Sequence, residues 1–229
     1  MNIDVHKLIE SSRYFMQTGP KSQASYAERA FLNAICRELY TGTGEIVELG
    51  VGGGGTAFSL CLGLNQNMTI SKKLKQSRIH LFDWYEFGVG RYANKIFFQP
   101  GKNPTLGDSF MPDVLSNLEQ FNNLFVIHSG DISDAKTDKI DNIEFLHIDI
   151  AKTSTTFASV INKFFPLLVS GQSIILHQDF ASPSLSWIHY STSAILPYIE
   201  ILSPPIRSTL AFKLIKPLPK ELFDKIRYD

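Results

Sequence analysis

From residue 45 onward, short apolar runs alternate with stretches of helical periodicity. Ile46 to Leu49, Arg78 to Phe82, Leu124 to His128, Ile143 to Ile148 and Ser173 to Leu176 are each rich in Ile, Leu, Val and Phe, and each is followed by Gly, Asp, Ser or His. Runs of this length bounded by turn residues predict buried strands. Thr56 to Leu64, Thr155 to Leu168 (stopped by Gly171) and Trp187 to Leu196 predict helices between or after them. Upstream, residues 4 to 16 and 25 to 40 predict two amphipathic helices. In the second, Ala30, Phe31, Ala34, Ile35 and Leu39 recur near helical spacing, and Ser25 with Glu28 forms a capping box. Thr41-Gly42-Thr43-Gly44 ends it.

Strands alternating with helices predict a parallel sheet with helices on both faces. The last two strands, Tyr198 to Leu202 and Thr209 to Ile215, are separated only by Ser203-Pro204-Pro205-Ile206-Arg207-Ser208. That is too short for a crossover, so they must pair as an antiparallel hairpin. The expectation is one α/β domain over residues 1–229, its sheet of seven strands mostly parallel and closed by this hairpin. Residues 1–40 supply its N-terminal helices. Tyr85 to Ser116 breaks the pattern with Gly88, Gly90, Pro100, Gly101, Pro104, Gly107 and Pro112. A segment that long, leaving the ligand side of the second strand, predicts a lid or cap over the substrate; a surface loop without function is the plainer alternative.

Composition changes this picture only by exclusion. Hydrophobic residues are 44 % of 229 and charged residues 19 %, an ordinary globular balance. Lys plus Arg and Asp plus Glu are 22 each, so no net field favours a polyanion, and nucleic acid is not the expected partner. Cys36 and Cys61 are isolated in apolar helical patterns and predict buried free thiols rather than a disulfide or zinc motif. No basic-then-apolar leader opens the chain and no apolar stretch is membrane-spanning, so a cytoplasmic location without membrane contact is expected. Lys72, Lys73, Lys75 and Arg78 read as a solvated basic loop, and His80, His128 and His147 as satisfied core histidines.

The chemistry concentrates at Glu45-Ile46-Val47-Glu48-Leu49-Gly50-Val51-Gly52-Gly53-Gly54-Gly55-Thr56, a strand, a glycine turn and a helix start. Such a turn brings backbone and free helical N–H groups close to a ligand. Gly50, Gly52 and Gly55 satisfy the dinucleotide fingerprint of a Rossmann-like fold. Against a nicotinamide cofactor, Leu64 to Arg78 contains no acid, and the chain has little room for a second, substrate-binding domain.

Glu48-Leu49-Gly50-Val51-Gly52-Gly53-Gly54 resembles the first motif of class I S-adenosylmethionine-dependent methyltransferases. Phe82-Asp83 resembles that family's acid after the second strand, Ser129-Gly130-Asp131 its loop after the third, and Asp149 its acid after the fourth. The terminal hairpin is also characteristic of that fold. The resemblance covers roughly residues 25 to 216. It implies S-adenosylmethionine held by Glu48, Gly50, Gly52, Gly54, Asp83, Trp84, Gly130, Asp131 and Asp149, with Asp83 at the ribose hydroxyls and Gly130-Asp131 beside the adenine.

Within the family, the stretch from His147-Ile148-Asp149 to His177-Gln178-Asp179 looks like the small-molecule O-methyltransferases of the macrocin, sugar and catechol types. Those bind a divalent metal with acids after strands four and five. Here His177-Gln178 stands at the metal-pair position, and Ile150-Ala151 replaces a second acid, so metal is not favoured; Mg²⁺ on Asp149 and Asp179 stays open. His177, the polar terminus of a central strand, is the expected general base for an acceptor hydroxyl, with Asp149 orienting it or acting as base itself. Residues 85–116 and the region of Trp187, His189 and Tyr190 would supply the acceptor pocket. The expected partner is a small-molecule acceptor, with a homodimer left open. A nicotinamide-dependent reductase and a non-catalytic partner subunit of the same fold are the alternatives.

Overall fold

The apolar runs become strands β1 (Glu45–Leu49), β2 (Ile79–Asp83), β3 (Phe125–Ser129), β4 (Ile143–Ile148), β5 (Ile174–His177), β6 (Ile199–Ile201) and β7 (Leu210–Leu214). The structure is a computed structural model describing residues 4–88 and 104–225. The strands form one seven-stranded sheet in the order β3-β2-β1-β4-β5-β7-β6. Every position of β2 and β4 is buried, as strands covered on both faces require. The helices are α1 (Val5–Ser12), α2 (Tyr26–Ala34), α3 (Gly55–Gln66), α4 (Lys72–Lys75), α5 (Met111–Leu118), α6 (Ser154–Phe164), α7 (Ser186–Ile195) and α8 (Lys220–Lys225). None among the described residues is long and apolar enough to cross a membrane. The chain divides into two compact units, one containing residues 41–50 and 131 onward, the other residues 4–40 and 51–130.

In the first unit β1, β4 and β5 are parallel neighbours, with Val47 beside Leu146 and Ile148 beside His177. The winding order reverses between β1 and β4, the kind of switch point where open α/β sheets bind ligands. The terminal hairpin forms as expected, and β7 is its inner strand: it pairs antiparallel with β5 as well as β6. At the opposite end of β4, the helix-breaking Thr41-Gly42-Thr43-Gly44 wraps a buried carboxylate. Glu144 accepts from the Thr41, Thr43 and Gly44 amides at 2.6, 2.9 and 3.2 Å and from both threonine hydroxyls. A Cβ on Gly44 would lie 2.8 Å from the Glu144 nitrogen, so only glycine fits the turn.

In the second unit α1, α2 and α3 pack together. The capping box at Ser25 and Glu28 forms in full. The predicted second helix does not run regularly to residue 40; it changes to a π-helical turn at Ile35–Leu39. The buried Asn67 amide donates to the Cys36 and Tyr40 carbonyls at 2.9 and 2.8 Å, satisfying groups that the turn and helix end leave over. Cys36 and Cys61 are buried and not disulfide-bonded, as expected. The basic run is not a loop throughout. It contains α4, and Lys75 is buried with its ammonium on the Asn65 and Asn67 carbonyls. Burial lowers its pKa, with Lys72 adding to the effect. Spacing in sequence does not reveal two carbonyls waiting for a cation.

Gly63 of α3 faces α2 so closely that a Cβ would meet the Asn33 carbonyl oxygen at 2.3 Å and the Cys36 Cβ at 2.9 Å. Gly63→Ala gains about 1 kcal/mol in helix propensity. Overpacking against an immovable backbone carbonyl costs about 1–3 kcal/mol or more, and here it prevails. We expect a lower denaturation midpoint for Gly63→Ala; an increase would show that the two helices separate freely.

The irregular segment begins as a paired neck. Tyr85 and Phe110 are buried, Glu86 bridges Ser109, and the Phe87 amide donates to the Asp108 carbonyl at 2.9 Å. Its last part is helical: Pro112 lies in the first turn of α5, where a missing N–H costs nothing, rather than breaking the chain. The expected lid falls largely on residues 89–103, which lie outside the described residues.

Candidate active site

The first unit gathers its polar groups at the C-terminal ends of β1, β4 and β5. Glu48 is fully buried. Its Oε1 lies 3.1 Å from His147 Nδ1, and His147 Nε2 lies 3.2 Å from Gln178 Oε1. Burial alone would lower the imidazole pKa; the Glu48 carboxylate, aided by Asp149 and Gln178, outweighs it and holds His147 above the usual histidine value. His147 is therefore a satisfied core histidine, and what satisfies it is a residue expected at the cofactor. The second oxygen of Glu48 is buried without a partner. Such an orphan costs free energy unless something supplies a donor.

Gly50 follows at φ +93°, where a Cβ would stand 2.7 Å from the Asp149 carbonyl oxygen. The Asp149 amide donates to the Leu49 carbonyl at 2.8 Å, which fixes where Asp149 leaves the sheet. Its Oδ1 accepts from Lys152 Nζ at 2.7 Å, and the same ammonium donates to Asp179 Oδ2. Asp179 is held at φ +61°, a region that non-glycine residues seldom adopt. Burial pushes the Asp149 carboxyl up against the pull of Lys152 and His147. Burial pulls Lys152 down, but the two carboxylates outweigh it and hold the ammonium above the usual lysine range. Sequence reasoning missed Lys152. Its only signal was a lysine three residues past a strand-terminal acid, a spacing too common to single out.

His177 departs from its expected role. Its side chain is 2 % exposed, packed edge-on against Phe157 with Phe180 nearby. Its Nδ1 donates to the Gln178 carbonyl at 2.8 Å and its Nε2 is buried without a partner. Burial lowers its pKa to about 4. The last residue of a central strand still has a covered face, and His177 points into it. Trp187 Nε1 donates to the Ala151 carbonyl at 2.9 Å and His189 bonds the Phe180 carbonyl, so α7 is tied to the loops carrying Asp149 and Asp179. Tyr190 is exposed. Asp131 caps the turn at Ile132–Asp134; the Ser133 amide bond holds its carboxyl below the usual range.

In the second unit the glycine turn is braced from inside. Asp83 is buried; its Oδ2 accepts from the Val51 and Gly52 amides at 2.8 and 2.9 Å, and its Oδ1 from the Trp84 amide at 2.7 Å. Successive amides in such a turn make a concavity for an anion, and here a side chain fills it. The acid expected at the ribose is thus directed into the turn. Gly52 and Gly54 have φ of +53° and +83°. A Cβ on Gly52 would meet nothing within 4 Å, and the same is true of Gly130, whose amide donates to the Asp83 carbonyl. Trp84 is exposed.

For a divalent metal the residues do not fit. Among the described residues no three His, Cys, Asp or Glu side chains converge. Asp149 and Asp179 come together, but around the Lys152 ammonium.

No family model matches the chain, and no curated protein is similar to it in sequence. Solved structures are similar in fold. The O-methyltransferase NovP has a TM-score of 0.63 at 12 % identity, with 93 % of this chain and 98 % of NovP covered. CalS11, a TDP-rhamnose 3'-O-methyltransferase, has 0.61 at 14 % identity, with 91 % and 93 % covered. The methyltransferase PaMTH1 of Podospora anserina, bound to S-adenosylhomocysteine, has 0.56 at 10 % identity, with 93 % and 89 % covered. A putative RNA methyltransferase of Pyrococcus horikoshii, PH1948, shares the architecture too, with a TM-score of 0.52 at 12 % identity. The chain has the Rossmann-like fold common to these methyltransferases.

Proposed function

We propose that this protein transfers a methyl group from S-adenosylmethionine to a hydroxyl of a small molecule. The observation that carries the reading is the orphaned, buried Glu48 Oε2 at the strand end preceding the glycine turn. A cationic amino group is the donor such an oxygen lacks. The open space at Gly52 and Gly130 supports it, because a ligand can approach the backbone there.

Glu48 and the turn from Gly50 to Gly54 would hold the amino-acid end. Trp84, Gly130 and Asp131 would flank the nucleoside, and Asp83 would keep the turn in shape. Bound there, the cofactor supplies a methyl group already activated by its sulfonium. What the chain must add is alignment and a destination for the hydroxyl proton. Asp149, with its raised pKa, is the base of this reading in place of His177: the acceptor oxygen gains the methyl as its proton passes to the Asp149 carboxylate. The balanced charge supports a small acceptor over RNA.

Calorimetry with S-adenosylhomocysteine and NADH tests this. We expect the first to bind and the second not. Gly52→Asn should weaken S-adenosylhomocysteine about tenfold or more, since asparagine tolerates the left-handed backbone and its side chain enters the ligand space. No binding by the wild type, or equal binding by the variant, would remove the cofactor assignment.

A further inference from the structure

We propose that the Lys152 ammonium is the resident cation of this strand edge, standing where a divalent metal would have to bind, so that Asp149 and Asp179 take no metal ion while it is there. The two acids leave the adjacent parallel strands β4 and β5, whose last residues Ile148 and His177 are paired. Lys152 Nζ bonds Oδ1 of the first at 2.7 Å and Oδ2 of the second. A Mg²⁺ ion lies about 2.0–2.1 Å from its oxygens and asks for about six of them. To bridge these carboxylates it would need the gap that Nζ fills.

The neighbours that could complete a metal shell are committed elsewhere. Gln178 Oε1 is on His147, and the His177 ring is buried against Phe157 with its Nδ1 on the Gln178 carbonyl. Two carboxylates this close repel unless a cation separates them. The left-handed backbone of Asp179 is held in the conformation that brings its carboxylate to Lys152. Two of the three ammonium donors are engaged. The side chain is 55 % exposed, so the third is left for a ligand oxygen. If the methyl-transfer reading holds, that oxygen is the acceptor's, and lysine does what a metal does in the metal-using enzymes of this type: it draws charge from the attacking oxygen.

The test is Mn²⁺ titration followed by electron paramagnetic resonance, on the wild type, Lys152→Ala, Lys152→Gln and the double variant Lys152→Ala/Asp179→Asn. The wild type is expected to leave the free-ion signal unchanged. Lys152→Ala or Lys152→Gln should bind Mn²⁺ at least about tenfold more tightly, as an uncompensated oxygen pair attracts a hard cation. The double variant should lose that gain. Mn²⁺ binding by the wild type that disappears in Asp179→Asn would overturn the proposal. So would folded Lys152 variants that bind no better than the wild type. S-adenosylhomocysteine calorimetry on the same preparations reports separately on the methyltransferase reading, whose failure would leave the Mn²⁺ result standing.

Discussion

Asp149→Asn is expected to lower turnover about a hundredfold or more while the protein stays folded, the usual consequence of removing a general base. The asparagine oxygen still accepts from Lys152, so the local bonding survives. What is lost is a proton acceptor whose pKa burial has moved upward against the pull of the nearby Lys152 and His147 charges; Asp179 adds to the upward shift. A base must be deprotonated to work. The wild-type rate should therefore fall as pH drops through a value above the usual carboxylate range, and the variant should lack that limb. Release of S-adenosylhomocysteine per folded enzyme, followed across pH with an accepted substrate, measures both. A wild-type rate and pH profile in Asp149→Asn would end the assignment.

The second large effect concerns stability in acid. His177 titrates at about 4 in the folded chain against 6.5 as a free side chain. A folded-state value below the unfolded one means that neutral His177 contributes stability above pH 6.5, and that this is lost as pH falls toward 4. The loss is on the order of 3 kcal/mol, at about 1.4 kcal/mol per pH unit of displacement. The wild type should show a steep fall in unfolding free energy across that window. His177→Leu, which keeps apolar contact with Phe157, should show a much shallower one. Parallel curves for the two proteins would mean that the ring is solvated and free to act as a base after all.

The architecture was legible because burial imposes a pattern. β4 spans the residues of its apolar run, Ile143–Ile148, and the short link before β7 left no topology but a hairpin. Local hydrogen-bond grammar was equally readable at Ser25 and Glu28. Errors arose where one residue type has two meanings. Pro112 interrupts the pattern in sequence, yet it lies in the first turn of α5. Lys75 belongs to a basic run that predicts a solvated loop, yet it lies buried on two carbonyls. At the candidate site the strand-terminal positions of Asp83, Asp149 and His177 were foreseen, but position does not give direction. Asp83 turns into the glycine loop, His177 turns into the core, and Lys152 fills the gap between two acids. Each of these depends on contacts between residues distant in sequence or on a backbone geometry that no spacing encodes.

The inward turn of Asp83 also bears on kinetics. By accepting from the Val51 and Gly52 amides, it braces the glycine loop within the folded chain. A ligand approaching the open side of Gly52 would then meet a loop already in shape and need not supply the free energy of ordering it, one of the costs of association. Capture should accordingly proceed in one concentration-dependent phase, with no slower loop-ordering step behind it. Loosening that internal tie would slow the arrival of the ligand before it hastened its departure.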